Sequence, residues 1–149
     1  AEDELALYAR FQVQAAEDIF IPRSPVDVKR LLDITFHNDP WIPGFLLKDL
    51  YQNVFSGRET EQTELLRDLP RSRERVVGWQ FTMPSLVVWG SHDPVFPLES
   101  GERLATALGA SFEVLEKSAH GPIAEEPRRF NTLLIQWLQQ TDTPSNACF

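Results

Sequence analysis

The chain has 149 residues, of which 42% are apolar and 24% are charged, a composition typical of globular proteins and unlike disordered, collagen-like or membrane-spanning chains. Its 14 basic and 22 acidic residues give a net charge of −8, which would repel the polyanionic backbone of a nucleic acid, so we expect no nucleic-acid partner. The single cysteine, Cys148, excludes an intramolecular disulfide and a cysteine-rich zinc site.

The character of the sequence changes near residue 80. Residues 1–80 carry apolar side chains at helical spacing with prolines between these stretches, which predicts helices joined by loops. Residues 81–140 predict an alternation of strand, helix, strand and helix, and residues 141–149 are expected to form a flexible tail. The first residues lack the basic and apolar regions of a signal peptide, and no apolar run is long enough to span a membrane.

Three helices of the first part are indicated by local signals. One is predicted to begin at Ser24, which can cap it, with proline next and Asp27 placed to complete a capping box. A second is predicted to end at Gly57 in the left-handed conformation. A weaker third is expected to run to Pro70.

The second part has the pattern of a parallel α/β unit. Residues 86–89 form a short apolar run that ends at Gly90, as expected of a strand buried on both faces. A helix is predicted over residues 97–108, with Leu104 facing inward, followed by a second strand over residues 112–115 and a last helix from residue 127. These elements predict a right-handed crossover covered by a helix.

An aspartate and a histidine follow the two predicted strands. Asp93 comes after the first strand and His120 after the second, and the carboxyl ends of parallel strands meet at one edge of a sheet. Taken singly, Asp93 is equally consistent with a turn residue and His120 with a structural loop histidine. Together they have the order and spacing of the acid and base of a nucleophile–His–acid triad, which predicts catalytic roles for both.

The runs around these two residues resemble the acid and histidine loops of the α/β-hydrolase superfamily. The first is GSHDPVFP at residues 90–97, and the second is HGPIAEEP at residues 120–127, in which Ala119 stands before the histidine where many members have glycine. The helical part resembles the mobile cap of this family, and from the run IPRSP at residues 21–25 onward it is most similar to monoacylglycerol lipases and related esterases.

The resemblance implies an α/β fold in which a helical cap, residues 1–80, precedes the C-terminal part of an α/β-hydrolase parallel sheet, residues 81–140. In this family the nucleophile lies on a G-x-S-x-G elbow upstream of the cap. None of the seven glycines forms such an elbow, so we expect the N-terminal sheet, the nucleophile and the oxyanion loop to lie outside this chain. We also expect the chain to need this missing half, or a second copy, for cohesion.

The implied activity is that of a serine carboxylic-ester hydrolase, a lipase or esterase, with His120 as general base and then acid and Asp93 as its orienting carboxylate. The chain alone is expected to be inactive. Two alternatives stay open: a cap-bearing epoxide or haloalkane hydrolase, with aspartate as nucleophile, and an inactive fragment or interaction module.

The resemblance to lipases implies a substrate of ester or lipid-like chemistry, which needs a dry, apolar cleft. Large apolar side chains for such a cleft are offered by two loops, and they would otherwise seal cap against core: Trp41, Ile42, Phe45 and Phe96. No cofactor is implied, and the spacing of His37, His92 and His120 fits no metal site. A membrane surface stays open as a partner, and the sequence gives no cellular location.

Overall fold

The computed structural model describes residues 2–76 and 81–141. The chain divides into two compact units, Ala1–Trp79 and Gln80–Phe149. The predicted tail lies outside the described residues except for Thr141, and so does Cys148. In the part of the chain that is described, no helix combines the length and the apolar character that crossing a bilayer requires.

The first unit is helical in its described residues. It contains five α-helices: α1 (Glu2–Phe11), α2 (Glu17–Phe20), α3 (Pro25–Thr35), α4 (Gly44–Leu50) and α5 (Glu59–Val76). The most buried apolar side chains of this unit belong to α1, α2, α3 and the segment between α2 and α3: Leu7, Ile19, Ile21, Pro22 and Val28.

Helix α3 begins as its sequence predicts. The Ser24 side chain accepts a hydrogen bond from the Asp27 N–H at 3.2 Å, and its own hydroxyl donates to Asp27 Oδ2 at 2.7 Å. The same carboxylate oxygen accepts the Arg23 N–H at 3.1 Å, so it satisfies a donor just outside the helix. These bonds fix the helix start at Pro25.

The ends of the next two helices differ in how well local signals define them. Helix α4 passes into a π-helical turn, Tyr51–Phe55, and the chain then turns at Gly57, whose φ of +76° is the predicted left-handed conformation. The prediction that the third helix ends at Pro70 is wrong, because α5 continues to Val76. Proline has a helical φ, but it lacks the N–H donor and its ring crowds the carbonyl four residues earlier, so the helix continues past it only at a cost in stability.

The second unit contains a small parallel sheet. Strand β1 (Leu86–Gly90) pairs in parallel with β2 (Ser111–Leu115), and Leu86 lies opposite Ser111 at the start of the register. Helix α6 (Leu98–Leu108) connects the strands, and a short helix α7 (Pro122–Glu125) leads to the last helix, α8 (Pro127–Thr141). This confirms the predicted α/β class with its strand–helix–strand crossover.

Helix α6 packs closely on the sheet at a glycine. A Cβ atom on Gly101 would come within 2.6 Å of the Trp89 indole and 3.0 Å of the Phe112 ring, so the close approach requires the absence of a side chain. Ala105, one turn later, is also buried. Leu104, which was expected to face inward, is 43% exposed because it lies beside this contact face rather than on it.

Burial within the sheet is uneven. Leu115 is completely buried and Val87 nearly so, but Leu86, Val88 and Trp89 are only half-buried. The prediction of a first strand buried on both faces is therefore only partly fulfilled in this chain. The sheet still fixes the directions of the two loops that leave its carboxyl edge.

Candidate active site

The loop after β1 holds the Asp93 carboxylate in place through its own backbone. Oδ1 of Asp93 accepts hydrogen bonds from the Val95 N–H at 2.8 Å and the Phe96 N–H at 2.9 Å. This turn is a local arrangement that aspartate favours because its short side chain reaches the amides of the next residues. The Asp93 side chain is only 5% exposed, so the carboxylate is both buried and oriented.

The loop after β2 lies against the loop after β1. The His92 N–H donates to the Ser118 carbonyl at 3.0 Å, and the Ser91 N–H donates to the Leu115 carbonyl, also at 3.0 Å. The contact is closest at Gly90, where a Cβ atom would lie 1.9 Å from the carbonyl oxygen of Ala119. Only a residue without a side chain fits at this position.

These two loops bring Asp93 and His120 together. The distance from Nδ1 of His120 to Oδ2 of Asp93 is 2.8 Å, a good hydrogen bond between residues 27 positions apart. The His120 side chain is 40% exposed, while its partner carboxylate is buried. The Phe96 ring lies beside the imidazole, with 5.5 Å between the ring centroids.

The carboxylate changes the protonation of the imidazole. The hydrogen bond to Asp93 raises the pKa of His120 above its usual value; burial acts against this rise, and the negative charge of Asp93 adds to it. A raised pKa means that Asp93 stabilises the imidazolium form. In the neutral form, the same bond favours the tautomer with the proton on Nδ1 and leaves Nε2 as the basic nitrogen.

An oriented Asp–His pair of this kind can perform general acid–base chemistry. The buried carboxylate fixes the ring, and the partly exposed imidazole can take a proton from a nucleophile and return it to a leaving group. Among residues 2–76 and 81–141, no three His, Cys, Asp or Glu side chains group in a way that could hold a metal ion.

The other predicted site residues are divided between the units. Phe96 lies in the second unit next to His120, and its side chain is 45% exposed. Trp41, Ile42 and Phe45 lie in the first unit, just before and at the start of α4; Trp41 and Phe45 are among the most exposed large apolar residues described. Their role in a substrate pocket stays a prediction.

Two histidines lie outside the pair. His92 follows β1, and its Nδ1 lies 2.9 Å from the Ser91 hydroxyl. His37 is exposed just beyond the end of α3. Sequence reasoning missed Glu125 and Glu126, whose carboxylates bind the backbone just before His120. Their fixed position after the histidine was visible in the sequence, but their contacts were not.

Comparisons with known proteins agree with this fold. The chain is 29% identical over 148 residues to the epoxide hydrolase srdG of Neurospora crassa, a match that covers 90% of this chain and 42% of that protein. It is 24% identical over 132 residues to the monoacylglycerol lipase ABHD6 of Bos taurus, covering 85% of this chain and 39% of the lipase. No family model matches the chain.

A solved structure shows the same architecture. The chain superposes on a bacterial membrane phospholipase A with a TM-score of 0.67 and 22% identity, covering 95% of this chain and 44% of that one. The fold is therefore that of the C-terminal portion of an α/β-hydrolase. The two relatives named above are an epoxide hydrolase and a monoacylglycerol lipase, and this chain spans about two-fifths of the length of each.

Proposed function

We propose that the intact protein is a serine carboxylic-ester hydrolase of the monoacylglycerol-lipase type. His120 is its general base and acid, Asp93 is the carboxylate that orients His120, and the serine nucleophile lies in a part of the protein outside this chain. The observation that carries the proposal is the 2.8 Å bond between Nδ1 of His120 and the buried Asp93 carboxylate. The match to a monoacylglycerol lipase over 85% of the chain supports the choice of an ester substrate.

The chemistry follows from the basic Nε2 of His120. This nitrogen removes the proton from the serine hydroxyl as the oxygen attacks the ester carbonyl, and the imidazolium is stabilised by Asp93. The imidazolium then returns the proton to the departing alcohol, leaving an acyl-enzyme. Water hydrolyses this intermediate in the same two steps, so no cofactor is needed.

The acyl chain of the substrate needs an apolar cleft that excludes water. Phe96 offers one wall, because its ring lies 5.5 Å from the His120 ring. For the helical unit by itself, we propose that Trp41, Ile42 and Phe45 also bind the apolar part of the substrate. Support for this assignment comes from the high exposure of Trp41 and Phe45, 86% and 72%, which leaves apolar surface for a lipid-like ligand.

The test uses the full-length protein and two matched histidine variants. His120→Ala is expected to reduce hydrolysis of a monoacylglycerol or a short ester by at least about 1,000-fold, because the general base is lost. His92→Ala, which removes a histidine from the neighbouring loop, should retain most of the activity. Retention of most ester hydrolysis by His120→Ala would refute the proposal.

Epoxide hydrolysis is the second candidate, and it is favoured by the 29% identity to srdG over 90% of the chain. The histidine and acid serve both chemistries, so the nucleophile must distinguish them. A serine-directed fluorophosphonate should label the full-length protein in a His120-dependent manner if the nucleophile is serine. Absence of labelling together with turnover of an epoxide would favour the second candidate instead.

A further inference from the structure

The backbone just before His120 is held by two consecutive carboxylates that follow it in the chain. Oε1 of Glu126 accepts hydrogen bonds from the Lys117 N–H and from the Ser118 hydroxyl, both at 2.8 Å. Oε1 of Glu125 accepts the Ala119 N–H at 2.7 Å. Residues 117, 118 and 119 thus each donate to a glutamate at the junction between α7 and α8.

This segment is also the one that contacts the acid loop. Ser118 is fully buried and Ala119 is 2% exposed, so neither can move without displacing its neighbours. The Ser118 carbonyl accepts the His92 N–H, one residue before Asp93. The same short stretch of backbone is therefore fixed on one side to the acid loop and on the other to the two glutamates.

Glu126 is well placed to act as an anchor. Its own carbonyl accepts the Phe130 N–H at 2.9 Å, so Glu126 is the residue directly before the 15-residue helix α8 and accepts that helix's first hydrogen bond. Burial raises the pKa of Glu126, but the bonds from Lys117 and Ser118, with the charges of Arg129 and Lys117, outweigh it and lower the pKa below its usual value. The carboxylate is thus ionised at neutral pH, and hydrogen bonds to an ionised acceptor are strong.

We propose that Glu126, assisted by Glu125, is a positioning residue that fixes the peptide before His120 and thereby keeps the imidazole within hydrogen-bond reach of Asp93. It acts through the segment before His120, since its bonds come from the Lys117 N–H and the Ser118 hydroxyl and not from a reacting atom. The inference rests on the proposed function, because it assigns a role to Glu126 only if the His120–Asp93 pair is catalytic.

The experiment compares three variants of the full-length protein. Glu126→Ala removes the acceptor, Glu126→Gln keeps an acceptor oxygen but removes the charge, and Glu116→Ala removes an exposed carboxylate from the same loop as a matched control. The measurements are kcat and KM for ester hydrolysis and, independently of activity, the pKa of His120 from the NMR titration of its ring.

Glu126→Ala is expected to lower kcat by about 10- to 100-fold and to change KM by no more than about twofold. A loss of this size corresponds to displacement of the base by up to about 1 Å. The pKa of His120 should fall toward its usual value of 6.5, because the bond to Asp93 weakens. Glu126→Gln should recover most of kcat and of the His120 pKa, and Glu116→Ala should match the wild type.

Two outcomes would overturn the inference: an unchanged His120 pKa and kcat in Glu126→Ala, or equal defects in Glu126→Ala and Glu126→Gln. If Glu126→Ala does not fold, Ser118→Ala provides the same test, because it removes the hydroxyl that donates to Glu126. A wild-type His120 pKa and kcat in Ser118→Ala would also overturn the inference. If ester hydrolysis by the full-length protein does not depend on His120, the proposed function is refuted instead. The NMR titration would still show whether Glu126 positions the His120 ring.

Discussion

Replacement of Gly90 by alanine is expected to separate the two loops that carry Asp93 and His120. The added Cβ would lie 1.9 Å from the Ala119 carbonyl oxygen and 2.5 Å from that of Ser118, whereas such atoms essentially never approach closer than 3.0 Å. Both clashing atoms belong to backbone rather than to flexible side-chain ends. The loops must therefore move apart by about 1 Å, an overpacking change.

The magnitude of the effect follows from this displacement. The bond between His120 and Asp93 is 2.8 Å long, and an added separation of about 1 Å takes it beyond hydrogen-bonding distance. Misplacement of a catalytic group by about 1 Å costs roughly 100-fold in rate. Overpacking should also lower the free energy of unfolding by about 1–3 kcal/mol.

The assay measures urea unfolding and ester hydrolysis of the full-length protein, with Gly44→Ala as the control. A Cβ on Gly44 meets nothing within 4 Å, so this variant should be at least as stable as the wild type and should hydrolyse esters at the wild-type rate. Wild-type stability and activity in Gly90→Ala would refute the reasoning. A loss of stability with full activity would show that the contact between the loops stabilises the fold but does not position His120 against Asp93.

Two further predictions follow from hydrogen bonds at the site and at α3. Asp93→Asn should reduce kcat by about 10⁴-fold and move the acidic limb of the pH–rate profile to lower pH, because the amide favours the wrong tautomer and no longer raises the pKa of His120. The bond between His120 and Asp93 contributes its full stabilisation below the usual His pKa of 6.5, and this stabilisation is lost as the pH rises through the raised pKa of His120. Asp93→Asn should therefore lower the thermal midpoint more at pH 5 than at pH 9. Ser24→Ala should lower the free energy of unfolding by about 1 kcal/mol through loss of the cap to Asp27, measured by urea unfolding; an unchanged value would contradict it.

Local signals in the sequence were sufficient for much of the secondary structure. The cap at Ser24 and the left-handed Gly57 are set by a few adjacent residues, so their patterns identify them. Pro70 was misleading because proline lowers the stability of a helix without making it impossible, and the rest of α5 outweighs that loss.

The pairing of Asp93 with His120 was also predictable, for a topological reason. Parallel strands joined by a right-handed crossover place their following loops at one edge, so an acid and a histidine at those two ends must be near each other. The sequence could not give the 2.8 Å contact or the depth of burial of the carboxylate. Those depend on how the two loops pack.

By itself, the sequence determined the α/β class, the cap at Ser24, the left-handed turn at Gly57 and the proximity of Asp93 and His120, since each depends on neighbours in the chain or on strand order. Only the tertiary structure shows that a side chain at Gly90 would clash with the neighbouring loop. Only the tertiary structure shows that Glu125 and Glu126 bind the backbone before the histidine. These are contacts of the backbone at residues 117–119, on one side with Gly90 and on the other with the carboxylates of Glu125 and Glu126. Their existence depends on the directions in which the chain carries those groups, and periodicity or composition does not encode direction.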